Sequence, residues 1–302
     1  MPKPADFYTK VPHRIPTREE YEKKKENPIY QKPKSQRENA FDFAMELVAS
    51  TNFLVLMNDL PSPHFLGREN EVNAVIESLM KKRMRNCVLI GEAGVGKTEI
   101  AREAISRTKN EFFLKLDTAS LHSGCTLMGQ FEAKLTDILV PISLFNQKSK
   151  IRVSLFIDEI HTLWNLGYNE YTGSVSAGNI LKPYLSDGTI TIIGATTPKE
   201  YKKSINGDMA LVRRVTPIFV NPLPDEAIRA ILKGFCGNEL SDPIIDKCLE
   251  ASKGIKYLSN PDCAIEIADR LMAKAIRKNK IADEQDLAEV MASMETSLYS
   301  GE

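Results

Sequence analysis

Apolar residues change their rhythm twice along this chain. Between positions 63 and 222, four short runs stand out as nearly uninterrupted apolar, β-rich blocks: CVLI (87–90), FFLKL (112–116), VSLFID (153–158) and ITIIGATT (190–197). Segments of helical spacing separate them. Strands without polar alternation are covered on both faces, the pattern of a parallel sheet between helices. The span therefore predicts an α/β domain, a parallel sheet flanked by helices. After Pro224 the strand-like runs stop and four helical patterns follow: DEAIRAILKGF, DPIIDKCLEAS, NPDCAIEIADRLMAKAI and EQDLAEVMASMETSL. Each has Asp, Asn or Glu near its start, where helix N-termini favour such residues. Residues 223–302 thus predict a small all-helical domain, and no internal repeat is present.

The chain before position 63 reads differently. Residues 1–40 hold Pro2, Pro4, Pro12, Pro16, Pro28 and Pro33 and the mixed run TREEYEKKKEN, with few aliphatic side chains. Such a composition buries little surface and predicts a flexible, Pro-rich basic arm. Its lysine excess suits either a weak nucleic-acid contact or a plain solvated tail, the second being favoured. Residues 41–62 carry a helical pattern that ends in FLVLM and is broken by LPSPHF. The apolar run either packs on the main domain or serves as a docking surface.

Composition narrows the function classes. Forty basic residues balance forty acidic ones, which nominates neither DNA nor membrane as a partner. The five cysteines (Cys87, Cys125, Cys236, Cys248, Cys263) show no metal-ligand spacing and suit a reducing compartment. No run approaches the roughly 20 apolar residues of a membrane span, and the first residues lack a signal-peptide core. The expectation is a cytoplasmic protein with no membrane partner.

Chemistry enters with GEAGVGKT, Gly91 to Thr98, which fits G-x-x-x-x-G-K-[ST] and lies between a predicted strand and a predicted helix. In such a loop Gly94 and Gly96 let backbone N–H groups curl around phosphates, Lys97 reaches the β/γ-phosphates and Thr98 ligates Mg²⁺. Glu92, Ala93, Val95 and Glu99 complete the expected ATP contacts. Sixty residues on, a buried strand ends in Asp158 and Glu159. Adjacent carboxylates there are costly unless a cation or a reaction uses them. Asp158 suits the Mg²⁺ shell and Glu159 the activation of water. Thr197, at the tip of the next strand, is placed to reach a γ-phosphate or is an ordinary strand-end threonine. Arg213 and Arg214 are surface charges or a finger that completes a neighbour's site.

The ordered series FLGRENEV, LIGEAGVGKTEIA, LFIDEIHTL, SAGNILKPYL, IIGATTPKEY, and ALVRR followed by VNPLP resembles the first ATPase module of the Clp-type AAA+ unfoldases and disaggregases, over about residues 60 to 275. The resemblance implies a P-loop AAA+ domain over 63–222 and a helical lid over 223–302. It implies a ring, usually a hexamer, with ATP between protomers and a protein substrate or adaptor. It implies Phe65 and Leu66 beside adenine, with Ile231 and Pro261 on the same side, Thr197 as sensor 1, and Arg213 and Arg214 as trans-acting fingers. The paired N-terminal repeat domain, the second ATPase module and the coiled-coil insertion of that family are not in this sequence, which argues against peptidase docking. Cys263 stands where the family carries lysine, and Val212 where it carries an acid.

Within the same resemblance, GCTLMGQFE (124–132) aligns with a pore loop, so Thr126, Leu127 and Met128 take the gripping positions without the usual ring and charge. Trp164, Tyr168 and Tyr171 either line a second pore-facing loop or pack on the domain. The leading expectation is an ATP-hydrolysing ring that remodels proteins. The alternative is an ATP-dependent assembly switch or loader on a protein or nucleic-acid complex.

Overall fold

The computed structural model describes residues 34–58, 67–123, 128–165, 177–205, 208–255 and 258–299. The chain opens with α1 (Gln36–Ser50), started by Ser35, whose side chain and Glu38 cap each other's backbone N–H. β1 (Leu54–Leu56) follows, then α2 (Glu69–Met80), β2 (Asn86–Ile90), α3 (Lys97–Arg107) and β3 (Glu111–Leu116). Next come α4 (Thr118–His122), α5 (Met128–Lys148), β4 (Arg152–Ile157), α6 (Ile160–Asn165), α7 (Ala177–Asp187) and β5 (Ile192–Thr196). Short turns α8 (Pro198–Glu200) and α9 (Met209–Val212) lead to β6 (Val215–Phe219). The helical domain is α10 (Asp225–Cys236), α11 (Asp242–Ser252), α12 (Asp262–Lys278) and α13 (Glu284–Tyr299).

The strands form one sheet of order β1-β3-β4-β5-β2-β6, parallel throughout except for β1. Alternation along each central strand shows why the sequence lacks polar positions there. In β3 the side chains of Phe112, Leu114 and Leu116 enter the core on the α1/α5 side, while Phe113 enters the core on the α2/α3 side. β4 repeats this with Val153, Leu155 and Ile157 against Phe156. A third core, built around Ile228, Leu232, Ile245, Ile267 and Leu271, lies wholly within the helical domain.

Two strands were not among the four predicted. FLVLM is no helix end: Leu54, Val55 and Leu56 pair antiparallel with Leu116, Lys115 and Leu114, so the run caps the sheet edge. Of the two readings left open for it, packing is the one observed. β6 carries Pro217 and, among the described residues, pairs only with β2, and an edge strand tolerates the missing N–H. Among the described residues, no helix is long and apolar enough to cross a membrane. Cys87, Cys236, Cys248 and Cys263 are buried free thiols.

Candidate functional site

β2 ends at Ile90, and residues 91–96 turn the chain at the carboxyl end of that strand into α3. The turn requires φ of +84° at Gly94 and +95° at Gly96, a region costly for any side chain. Gly96 is the N-cap of α3 and brings no capping side chain, so the first N–H groups of the helix remain available to an anion. Lys97, only 7% exposed, donates from Nζ to the carbonyls of Gly91 at 2.9 Å and Glu92 at 2.8 Å. Burial pulls its pKa below the ordinary lysine value, against the opposing pull of Glu159, Asp158 and Glu92.

β4 delivers the carboxylates. Asp158 Oδ2 accepts from Thr98 Oγ1 at 3.0 Å, and Asp158 Oδ1 accepts from the backbone N–H of Glu159 at 3.1 Å. Glu159 sits at φ +46°, unusual for a residue with a side chain and worth about 1–3 kcal/mol of strain. Its Oε2 lies 3.2 Å from His161 Nδ1, and that nitrogen is 3.0 Å from Thr196 Oγ1.

Gly94, Gly96, Lys97, Thr98, Asp158 and Glu159 line one cavity of about 330 Å³, which Pro261, Asp262 and Ile265 from the helical domain also line. Two backbone bonds fasten the helical domain to the loop: Ser259 N donates to Ala93 O and Asp262 N donates to Gly94 O, both at 3.2 Å. Burial, and then Glu266, raise the Asp262 carboxyl above its usual range. Arg68 braces the loop from behind, donating to Val95 O at 2.8 Å, to Asn221 O at 2.6 Å and to Glu71 at 3.1 Å.

An anion-binding loop, a buried lysine, a hydroxyl–carboxylate pair and a helical lid over the same cleft define a P-loop nucleotide-binding domain. Residues 87–222 match the family described as "ATPase family associated with various cellular activities (AAA)". The chain is 38% identical over 226 residues to the chaperone protein ClpB of Aquifex aeolicus (strain VF5), covering 69% of this chain and 22% of that protein. It is 38% identical over 252 residues to the ATP-dependent Clp protease ATP-binding subunit ClpE of Bacillus subtilis (strain 168), covering 76% and 34%. Its fold is similar to Hsp104 in an S. cerevisiae Hsp104–casein complex in extended conformation, with TM-score 0.67 and 29% identity over 80% of this chain and 44% of that one. An S. cerevisiae Hsp104–ADP complex gives TM-score 0.63 and 30% identity over 74% and 33%. Residues 87–222 thus form an AAA ATPase domain similar to that of the Clp-type proteins, and the chain spans less than half the length of each of these relatives.

The sequence-predicted residues fall into three groups. Gly94, Gly96, Lys97, Thr98, Glu99, Ala93, Asp158, Glu159 and Pro261 all line the cavity. Others lie elsewhere: Val95 is 1% exposed behind the loop, and Ile231, 5% exposed, packs in the helical core. The Thr197 hydroxyl caps α8, accepting from Glu200 N at 3.3 Å. Arg214 donates to Ser186 Oγ at 2.5 Å and to Ala210 O, whereas Arg213 is exposed. Trp164 is 6% exposed within the main core, which selects packing over a pore-facing role. The third group, Phe65, Leu66, Thr126, Leu127, Tyr168 and Tyr171, lies outside the described residues, and Met128 is the first residue of α5. Arg68, His161, Thr196, Asp262 and Ile265 were missed. Only His161 carried a signal, its place two residues after Glu159.

Proposed function

We propose that this chain is an ATP-hydrolysing module that works in a ring and remodels protein substrates. The observation that carries the reading is the single cleft in which Thr98 and Asp158 meet at 3.0 Å beside Lys97 and Glu159. Two hard oxygens at hydrogen-bond distance are the protein share of a Mg²⁺ shell completed by phosphates and water, so a cluster of three ligating side chains is not required. None occurs among the described residues. Mg²⁺ would supply charge neutralisation of the phosphates there. Lys97 binds the phosphates, Glu159 orients and deprotonates the attacking water, and the lid residues Pro261 and Ile265 exclude bulk solvent. The likeness to Hsp104, solved with casein, and to ClpB, a chaperone, supports an unfolded protein as substrate.

The test is ATP turnover by the chain with and without an unfolded protein. Lys97→Ala is expected to abolish nucleotide binding. Glu159→Gln is expected to keep ATP bound and lower turnover by at least about 100-fold, within the usual range for removing a general base. Parental turnover by Glu159→Gln removes that residue from its role, and stimulation by DNA instead of protein transfers the reading to the assembly-switch alternative.

A further inference from the structure

We propose that His161 is a positioning residue for Glu159, and that with Thr196 it forms a relay from the phosphate-binding loop to the catalytic carboxylate. The inference rests on the ATPase reading above and concerns how that site is set.

One ring nitrogen faces two oxygens. His161 Nδ1 is 3.2 Å from Glu159 Oε2 and 3.0 Å from Thr196 Oγ1. In the Nδ1–H tautomer, the nitrogen donates to the carboxylate, and the threonine hydroxyl accepts from the same N–H or turns its hydrogen away. In the other tautomer, Nδ1 takes the Thr196 hydrogen and sets a lone pair against the carboxylate. The two arrangements hold Glu159 differently. They matter because Glu159 is on a strained turn with its side chain 46% exposed, so a neighbour must choose its stance.

Thr196 is wired to the loop. It is the last residue of β5, fully buried, and its carbonyl accepts from the N–H of Gly91, the first loop residue, at 3.1 Å. A shift of the loop on taking up phosphates is therefore felt at Thr196 and, through one hydrogen bond, at His161. The distance between β5 and α6 is held by shape. A Cβ on Gly194 would come within 2.7 Å of Ile160 Cδ1, so only glycine lets α6 sit this close to the strand. Thr197, the threonine expected to sense phosphate, spends its hydroxyl on capping α8. Its buried neighbour is the one bonded towards the base.

Steady-state ATPase kinetics on the whole chain, with direct ATP-binding titrations, test this. His161→Leu is expected to lower kcat by about 10-fold or more, with KM and Kd for ATP within about 2-fold of the parent, since only the transition-state geometry is lost. His161→Asn, which returns an N–H close to Nδ1, should recover most of the rate. Thr196→Val keeps shape and removes the hydroxyl. It should lower kcat too, and the double variant should be no slower than His161→Leu alone, as for residues acting in series. Parental kcat in both His161→Leu and Thr196→Val, a KM rise that accounts for the loss, or full additivity overturns the relay. If His161→Leu does not fold, the isosteric Thr196→Val decides. A parent chain without turnover overturns the ATPase reading and the relay together, whereas an active parent with indifferent variants overturns the relay alone.

Discussion

Two glycines in the phosphate loop look equivalent in sequence and differ in space. Both have positive φ, so an alanine at either position pays backbone strain of about 1–3 kcal/mol. At Gly96 the added Cβ meets nothing within 4 Å, but at Gly94 it would lie 2.7 Å from Ser259 O and 2.9 Å from Asp262 Cβ. Gly94→Ala must therefore also push the helical domain off the loop, breaking the Asp262 N–Gly94 O bond that closes the cleft. Both variants should lower the unfolding midpoint, and Gly94→Ala should lower it further. Equal unfolding midpoints for the two would show that the lid does not press on the loop. Arg68 offers a related lesson at this scale. Its guanidinium is buried where it binds the carbonyls of Val95 and Asn221, holding the loop to the chain segment that leaves β6.

At the level of elements, the last two helices are fastened by a charge cluster at their junction. The Asp286 side chain is fully buried and accepts from Lys278 Nζ at 2.6 Å, and Lys280 Nζ approaches at 2.8 Å. Lys278 first, then Lys280, hold its carboxyl well below the usual carboxylate range. The sign follows from linkage: a depressed carboxylate stabilises the fold fully above its unfolded value of 3.8, and that contribution fades as pH falls below it. Asp286→Asn should therefore be less stable than the parent at pH 7, and the gap should narrow as pH drops through 3.8 towards the folded value. Helical circular dichroism of both proteins across an acid titration checks this. A gap that stays constant with pH would mean that the asparagine costs packing and not charge.

For the whole molecule, the exposed arginine Arg213 separates a self-contained enzyme from an assembly. Arg214 is spent inside its own chain on Ser186 and Ala210, which leaves Arg213 as the better candidate to reach a neighbouring site. If it does, specific ATPase activity should rise with protein concentration. Added Arg213→Ala subunits should depress the parent's activity by more than dilution alone, because one missing finger disables an adjacent site worth about 10³ to 10⁵ in rate. Turnover independent of concentration, together with simple dilution by the variant, would place the whole reaction within one protomer.

Local chemistry sufficed for much of this protein. The four central strands were legible because burial on both faces removes polar alternation, and the four C-terminal helices because 3.6-residue spacing survives any packing partner. That Gly94, Gly96, Lys97 and Thr98 would share a cleft with Asp158 and Glu159 was legible because a Gly-rich strand-to-helix turn and a buried strand ending in two carboxylates are local signals. Tertiary structure decided the remainder. Leu54–Leu56 and Val215–Phe219 are strands only because β3 and β2 offer them unpaired edges, a long-range fact that no local pattern carries. Trp164 entered the core because apolar partners from other elements surround it, and the Thr197 hydroxyl accepts from the Glu200 N–H one turn on, a capping bond that only the folded helix start creates. Asp262 and Ile265 reach the cleft from more than a hundred residues beyond Glu159, and His161 meets Thr196 across 35 positions of sequence. Such meetings depend on the approach of α6 to β5 and of the lid to the loop, and those distances exist only once the chain has folded.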